Sequence, residues 1–88
     1  NDDADLTNIL SSIDSFDVVI LFVEQNATRT KVSWRARTGL DISELALSLG
    51  GGGHPAAAGA ELTGSLAEVE QKIIQMTQEY LAQVKSVL

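Results

Sequence analysis

The chain has 88 residues, 44% of them apolar, a formal net charge of −6, one histidine and no cysteine. That length makes one domain with a modest core; the apolar content excludes a disordered segment, and the lack of cysteine excludes a disulfide framework and thiolate chemistry. The acidic balance argues against general nucleic-acid affinity, no signal peptide is legible, and the longest apolar run, "VVILFV", is too short to cross a membrane.

The chain opens at Asn1 without methionine and reads as a piece of a longer protein. Leu6, Ile9, Leu10 and Ile13 stand at helical spacing, so residues 1–17 are expected to be a helical lead-in, with the folded core over residues 18–88. "VVILFVEQ" from Val18 is a continuous, β-branched apolar run, which predicts a strand buried on both faces. "NATR" supplies a turn. "TKVSWRAR" then alternates, with Val32, Trp34 and Ala36 on one face and Lys31, Ser33, Arg35 and Arg37 on the other. The two strands are expected to pair as an antiparallel hairpin.

Asp41 with Glu44 three residues on predicts a capping box opening a short helix, with Ile42, Leu45 and Leu49 buried and Gly50 as its left-handed C-terminal cap. Pro55 is placed to begin a helical turn, and "AGAEL" has room for a short strand. Ser65 and Glu68 repeat the capping-box signature. Beyond them Leu66, Val69, Ile73, Met76, Tyr80, Val84 and Val87 recur at threes and fours, predicting a long C-terminal helix with an apolar stripe. Together these elements predict an α/β fold: a small mixed sheet of about three strands with helices on one or both sides.

Charge is unevenly distributed. Between Glu24 and Asp41 there is no acid, yet Arg29, Lys31, Arg35 and Arg37 all fall there. Such a strand is either a focused anion site or a solvated face balancing acidic neighbours. The stretch "LGGGGHPAAAGAEL" over residues 49–62 carries the same ambiguity. Four glycines between a capped helix and a run of alanines cannot be a linker, because nothing beyond them could fold alone. Glycine loses the most backbone entropy on folding, so the run serves either a tight structural turn or close approach of backbone N–H groups to an anion. His54 is a loop-capping residue or a ligand contact; alone it cannot assemble a metal site.

"GGGGHPAAAG", with "KVSWRAR" upstream and "DISELALSLGGGGH" feeding the loop, resembles the DHH-associated domain of the first subtype. These elements extend from about Val18 to Leu88 in the right order, and they look most like the C-terminal domain of bacterial oligoribonuclease/3′-phosphoadenosine 5′-phosphate phosphatases. The resemblance implies a substrate-binding domain that closes over the cleft of a covalently linked DHH catalytic domain. It implies that Gly51, Gly52, Gly53 and His54 contact a short RNA or nucleotide substrate, together with the strand residues Arg35 and Ser33. Arg37 shares their face without a transferred role. The manganese centre of the family belongs to the catalytic domain. No Asp-His-His segment is present here, so the resemblance implies neither catalytic nor metal-binding residues in this chain. The absence of cysteine fits a cytoplasmic protein, and the short apolar runs predict no membrane attachment. Two other readings stand beside the resemblance: a C-terminal RNA-binding module like that of alanyl-tRNA synthetases, whose loop has arginine at the position of His54, and a non-enzymatic nucleotide-sensing domain.

Overall fold

The computed structural model describes residues 17–37 and 39–87; the helix expected over residues 5–13 lies outside them. β1 (Val18–Asn26) and β2 (Arg29–Ala36) form the expected antiparallel hairpin, with Val18 opposite Ala36 and Ile20 opposite Trp34. The turn closes as the Asn26 side-chain oxygen accepts the Thr28 N–H at 2.9 Å, the local bond that asparagine brings to turns.

The sheet is larger and simpler than expected. It has four strands in the order β1-β2-β4-β3, every neighbouring pair antiparallel, rather than about three in a mixed sheet. The extra strand is β3 (Gly52–His54), made from the glycine run itself and paired with β4 (Ala57–Thr63). Glycine carries no strand propensity, so β3 is invisible to pattern and is created by its partner. The helical turn expected at Pro55 is absent. Pro55 and Ala56 are instead the two-residue turn between β3 and β4. Neighbours hold that turn: Ala36 N–H donates to the Ala56 carbonyl and Ile42 N–H to the Pro55 carbonyl, both at 2.9 Å.

Two helices lie on one face of the sheet. The short α1 (Ser43–Ser48) packs against β3 and β4, and the long α2 (Leu66–Val87) against β1 and β2. The core between the layers gathers Val32, Trp34, Ala58 and Ala60 from the sheet, Ile42, Leu45 and Ala46 at α1, and Val69 and Ile73 from α2. Met76 and Tyr80 pack against its margin, as the stripe on α2 predicts. Trp34 is fully buried and its indole N–H donates to the Thr77 hydroxyl at 3.1 Å. Thr77, one turn beyond Ile73, is the polar residue of the buried α2 face, and its hydroxyl satisfies the buried indole. The expectation of full burial for β1 overshoots. Val18, Ile20 and Phe22 face α2 yet stay half-buried, because β1 is an edge strand; Val19, the one fully buried residue of β1, is opposite Arg35 on the other face.

The helix ends follow local chemistry with one correction. Asp41 does not form a capping box with Glu44; its carboxylate accepts the Ser43 N–H at 2.9 Å, and the N-cap is Ile42, one residue later than expected. The Tyr80 hydroxyl donates to the Asp41 carbonyl, tying α2 to the entry of α1. Burial, and then the nearby carboxylates of Glu44 and Asp41, hold the Tyr80 phenol above its ordinary value, which keeps it a donor. At the other end Gly50 N–H donates to Leu47 O at 3.0 Å and Gly51 N–H to Ala46 O at 2.9 Å. With Gly50 at φ +87°, that is a Schellman cap.

The second capping box is present as predicted. Ser65 N–H donates to Glu68 Oε1 at 3.0 Å, and Glu68 N–H donates to Ser65 Oγ at 3.2 Å. The backbone bond from Ser65, and then its hydroxyl, lower the Glu68 carboxyl below its ordinary value of 4.5. A carboxyl depressed in the folded state stabilises the fold above its unfolded value, and that contribution is lost as pH falls through the folded value. Glu68→Ala, which removes the titrating carboxyl itself, is therefore expected to lower the melting temperature near neutrality and to flatten its decline below pH 4.5. Melting curves of the two proteins that stay parallel under acid would contradict this.

Candidate functional site

Both helices cover one face of the sheet, which leaves the other without a helical layer among the described residues. Pairing register decides which side chains share that open face, because directly opposed residues on antiparallel strands point the same way. Arg35 of β2 is opposite Ala57 of β4, which is opposite His54 of β3. The next row in the same orientation is Ser33, Gly59 and Gly52. At a strand spacing of about 4.8 Å, the Arg35 and His54 backbones stand about 10 Å apart across Ala57. Two long polar side chains thus flank a floor made of Ala57, Gly59 and Gly52, with the Ser33 hydroxyl at its side. Arg35 and His54 are exposed, and the floor residues are half-buried.

The four consecutive glycines separate into different tasks. Gly50 caps α1. A β-carbon on Gly51 would stand 2.0 Å from the Gly59 carbonyl oxygen and 2.7 Å from the Ala60 β-carbon. Its N–H is already donated to Ala46, so Gly51 is committed to the fold rather than presented to a ligand. Gly53, at φ +145°, is opposite Ala58 on the helix-covered side, and a β-carbon there would approach the Ala57 carbonyl to 2.6 Å. Gly52 differs. A β-carbon on it meets nothing within 4 Å, because it projects from the open face. Of the residues expected to converge, Ser33, Arg35, Gly52 and His54 share one surface, whereas Gly51 and Gly53 hold the loop against β4.

Residues that sequence reasoning passed over complete this surface. Gly59 sits between Ser33 and Gly52, and its own β-carbon would press the Val32 carbonyl at 3.0 Å. A glycine inside a strand signals close backbone approach, but only register shows what it approaches. Beyond it the floor opens into a depression of about 480 Å³ whose lining includes Arg29, Lys31, Gly51, Gly52, Gly59 and Glu61.

The electrostatics of the face are local. Arg29 pairs with Glu61 at 3.2 Å, and Arg37, just past the end of β2, pairs with Asp17 at 3.6 Å. Among the described residues, Arg35 and Lys31 have no carboxylate within ion-pair distance. The open face therefore carries positive charge on an acidic protein, which suits an anionic ligand. A metal centre does not fit: no group of three or more His, Cys, Asp or Glu residues among the described ones could hold an ion. No described helix is long and apolar enough to cross a membrane.

The chain is a two-layer α/β domain, helices on one face of the sheet and a basic, glycine-floored face on the other, and comparison with known proteins gives its family. The DHHA1 domain model matches residues 4–83, and the chain belongs to that family. Among curated proteins it is similar to the bifunctional oligoribonuclease and PAP phosphatase NrnA of Mycoplasma pneumoniae, 34% identical over 77 residues, covering 88% of this chain and 22% of the relative. The protein of the same name from Thermus thermophilus is 40% identical over 65 residues, 73% of this chain and 20% of that relative. The chain thus spans about a fifth of the length of these two relatives.

Proposed function

We propose that this chain is the substrate-holding domain of a DHH-type phosphoesterase acting on short oligoribonucleotides or nucleotide phosphates. The observation that carries the reading is the placement of Arg35, Ser33, Gly52 and His54 on adjoining rows of the open sheet face. Arg35 supplies a planar, permanently charged fork for phosphate oxygens, and Ser33 and His54 supply further polar contacts. Gly52 keeps the floor clear so that a phosphate or its neighbouring sugar can lie against backbone. β3 is also an edge strand, so one row of its backbone groups faces away from β4 and can serve a ligand.

The names of the relatives support this class of substrate, and their length supports a catalytic domain linked to this one in the parent protein. In this proposal residues 18–88 form the binding unit, residues 1–17 lead into it, and manganese belongs to the catalytic domain. The parent protein is proposed to work in the cytoplasm. Hydrolysis is assigned to the linked domain, because the residues described here form no binuclear metal centre.

The test is a heteronuclear shift titration of the chain with 5′-phosphorylated diadenylate. Shifts are expected on residues 33–35, 52, 54 and 57–59. A charge-assisted hydrogen bond contributes about 1.5–3 kcal/mol, so Arg35→Ala should weaken binding about tenfold to a hundredfold while leaving the melting temperature in place. Shifts confined to α2, with the open face silent, would overturn the reading.

A further inference from the structure

The open face does not end at the Arg35 row. Two residues along β2 from Ser33, and four from Arg35, Lys31 projects from the same side and is directly opposite Glu61. That pairing by itself would cancel. Instead Glu61 Oε1 accepts from Arg29, Nη2 at 3.2 Å and Nε at 3.3 Å. Arg29 therefore neutralises Glu61 from the next row, and Lys31 keeps its charge available at the mouth of the 480 Å³ depression. The walls of that depression include Gly52 and Gly59, the same residues that floor the candidate site. The two regions are one continuous trough.

From these positions we infer that β2 is a track for a nucleic-acid backbone, with Arg35 and His54 holding one phosphate and Lys31 a phosphate farther along the same strand. The inference rests on the binding role proposed above and adds a length requirement to it. At about 3.3 Å per residue, the Lys31 and Arg35 backbones are about 13 Å apart, which separates the two charges by more than one phosphate group. The row between them is Leu21, Ser33, Gly59 and Gly52; Leu21 walls it on the β1 side, and on the β4–β3 side the two glycines leave room for an extended strand. The strand aromatics Phe22 and Trp34 both belong to the helix-covered side. Without an aromatic from the sheet to stack on, the track reads charge and spacing rather than bases. Lys31 is the residue that makes a tri- or tetranucleotide a better ligand than a mononucleotide.

The experiment titrates the wild-type chain, Lys31→Gln, Lys31→Arg and Arg35→Ala with adenosine 5′-monophosphate and with 5′-phosphorylated tetra-adenylate and tetra-uridylate. Affinity is read from shift titrations at several salt concentrations. Lys31→Gln is expected to weaken both tetranucleotides several-fold and leave the mononucleotide unchanged, and Lys31→Arg to restore the loss. Losing one phosphate contact should also reduce the salt slope of tetranucleotide binding by about 0.7. Equal weakening of all three ligands would place Lys31 on the same phosphate as Arg35 and overturn the track; no change with any of them would make it an ordinary solvated lysine. Arg35→Ala must weaken the mononucleotide as well. If it does not, or if the wild-type chain binds none of the probes, the binding role of the face itself fails, and that outcome is distinct from a failure confined to Lys31.

Discussion

Ile73→Ala is expected to destabilise the chain by about 2–5 kcal/mol, the range for truncating a buried isoleucine and leaving a cavity behind. Ile73 is 0% exposed and belongs to the same cluster as Trp34, Val32 and Val69, so the hole would open where α2 meets the sheet. A domain of this size has about 5–15 kcal/mol in total, so the loss is a large fraction of its stability. The adjacent residue provides the control. Ile74 is 42% exposed, and Ile74→Ala should change stability by no more than about 0.5 kcal/mol. Urea unfolding of both variants decides the matter. An Ile73→Ala midpoint equal to that of Ile74→Ala would mean that the α2 stripe is not the core.

The second large effect separates two neighbouring glycines. Gly51→Val is expected to destabilise by at least the upper end of the about 1–3 kcal/mol usual for overpacking. Even the first carbon of the new side chain would meet the Gly59 carbonyl at 2.0 Å, and backbone cannot move aside as a side chain can. The displaced segment would also pull Gly51 N–H from the Ala46 carbonyl and weaken the cap of α1. Gly52→Val should leave the fold nearly intact, since its β-carbon meets nothing within 4 Å. Its branched side chain would instead stand on the floor between Gly59 and the ligand, and nucleotide binding should be lost. Thermal melting and the shift titration, run on both variants, give opposite patterns if this division is right. A stable Gly51→Val that no longer binds would return Gly51 to the ligand side.

The C-terminal helix, its capping box and the β1–β2 hairpin were legible in the sequence because local periodicity and local hydrogen bonds specify them. The stripe from Leu66 onward needs only a 3.6-residue repeat, and Ser65 with Glu68 needs only three residues of separation. The alternation of β2 likewise put Ser33 and Arg35 on one face before any partner strand was known. The motif "GGGGHPAAAG" pointed to the right family for a similar reason, since its glycines and histidine are contiguous. What the sequence left open was everything that register decides. β3 has three residues and no strand propensity, and it exists because β4 offers a ladder to complete. The same pairing sorts the glycines: Gly51 and Gly53 turn toward crowded backbone, and Gly52 turns toward open space. Likewise, Arg29 and Lys31 look alike along the chain. Only the fold puts Glu61 within reach of Arg29 and leaves Lys31 charged beside the trough, because a strand's side-chain direction is local but its neighbours are not.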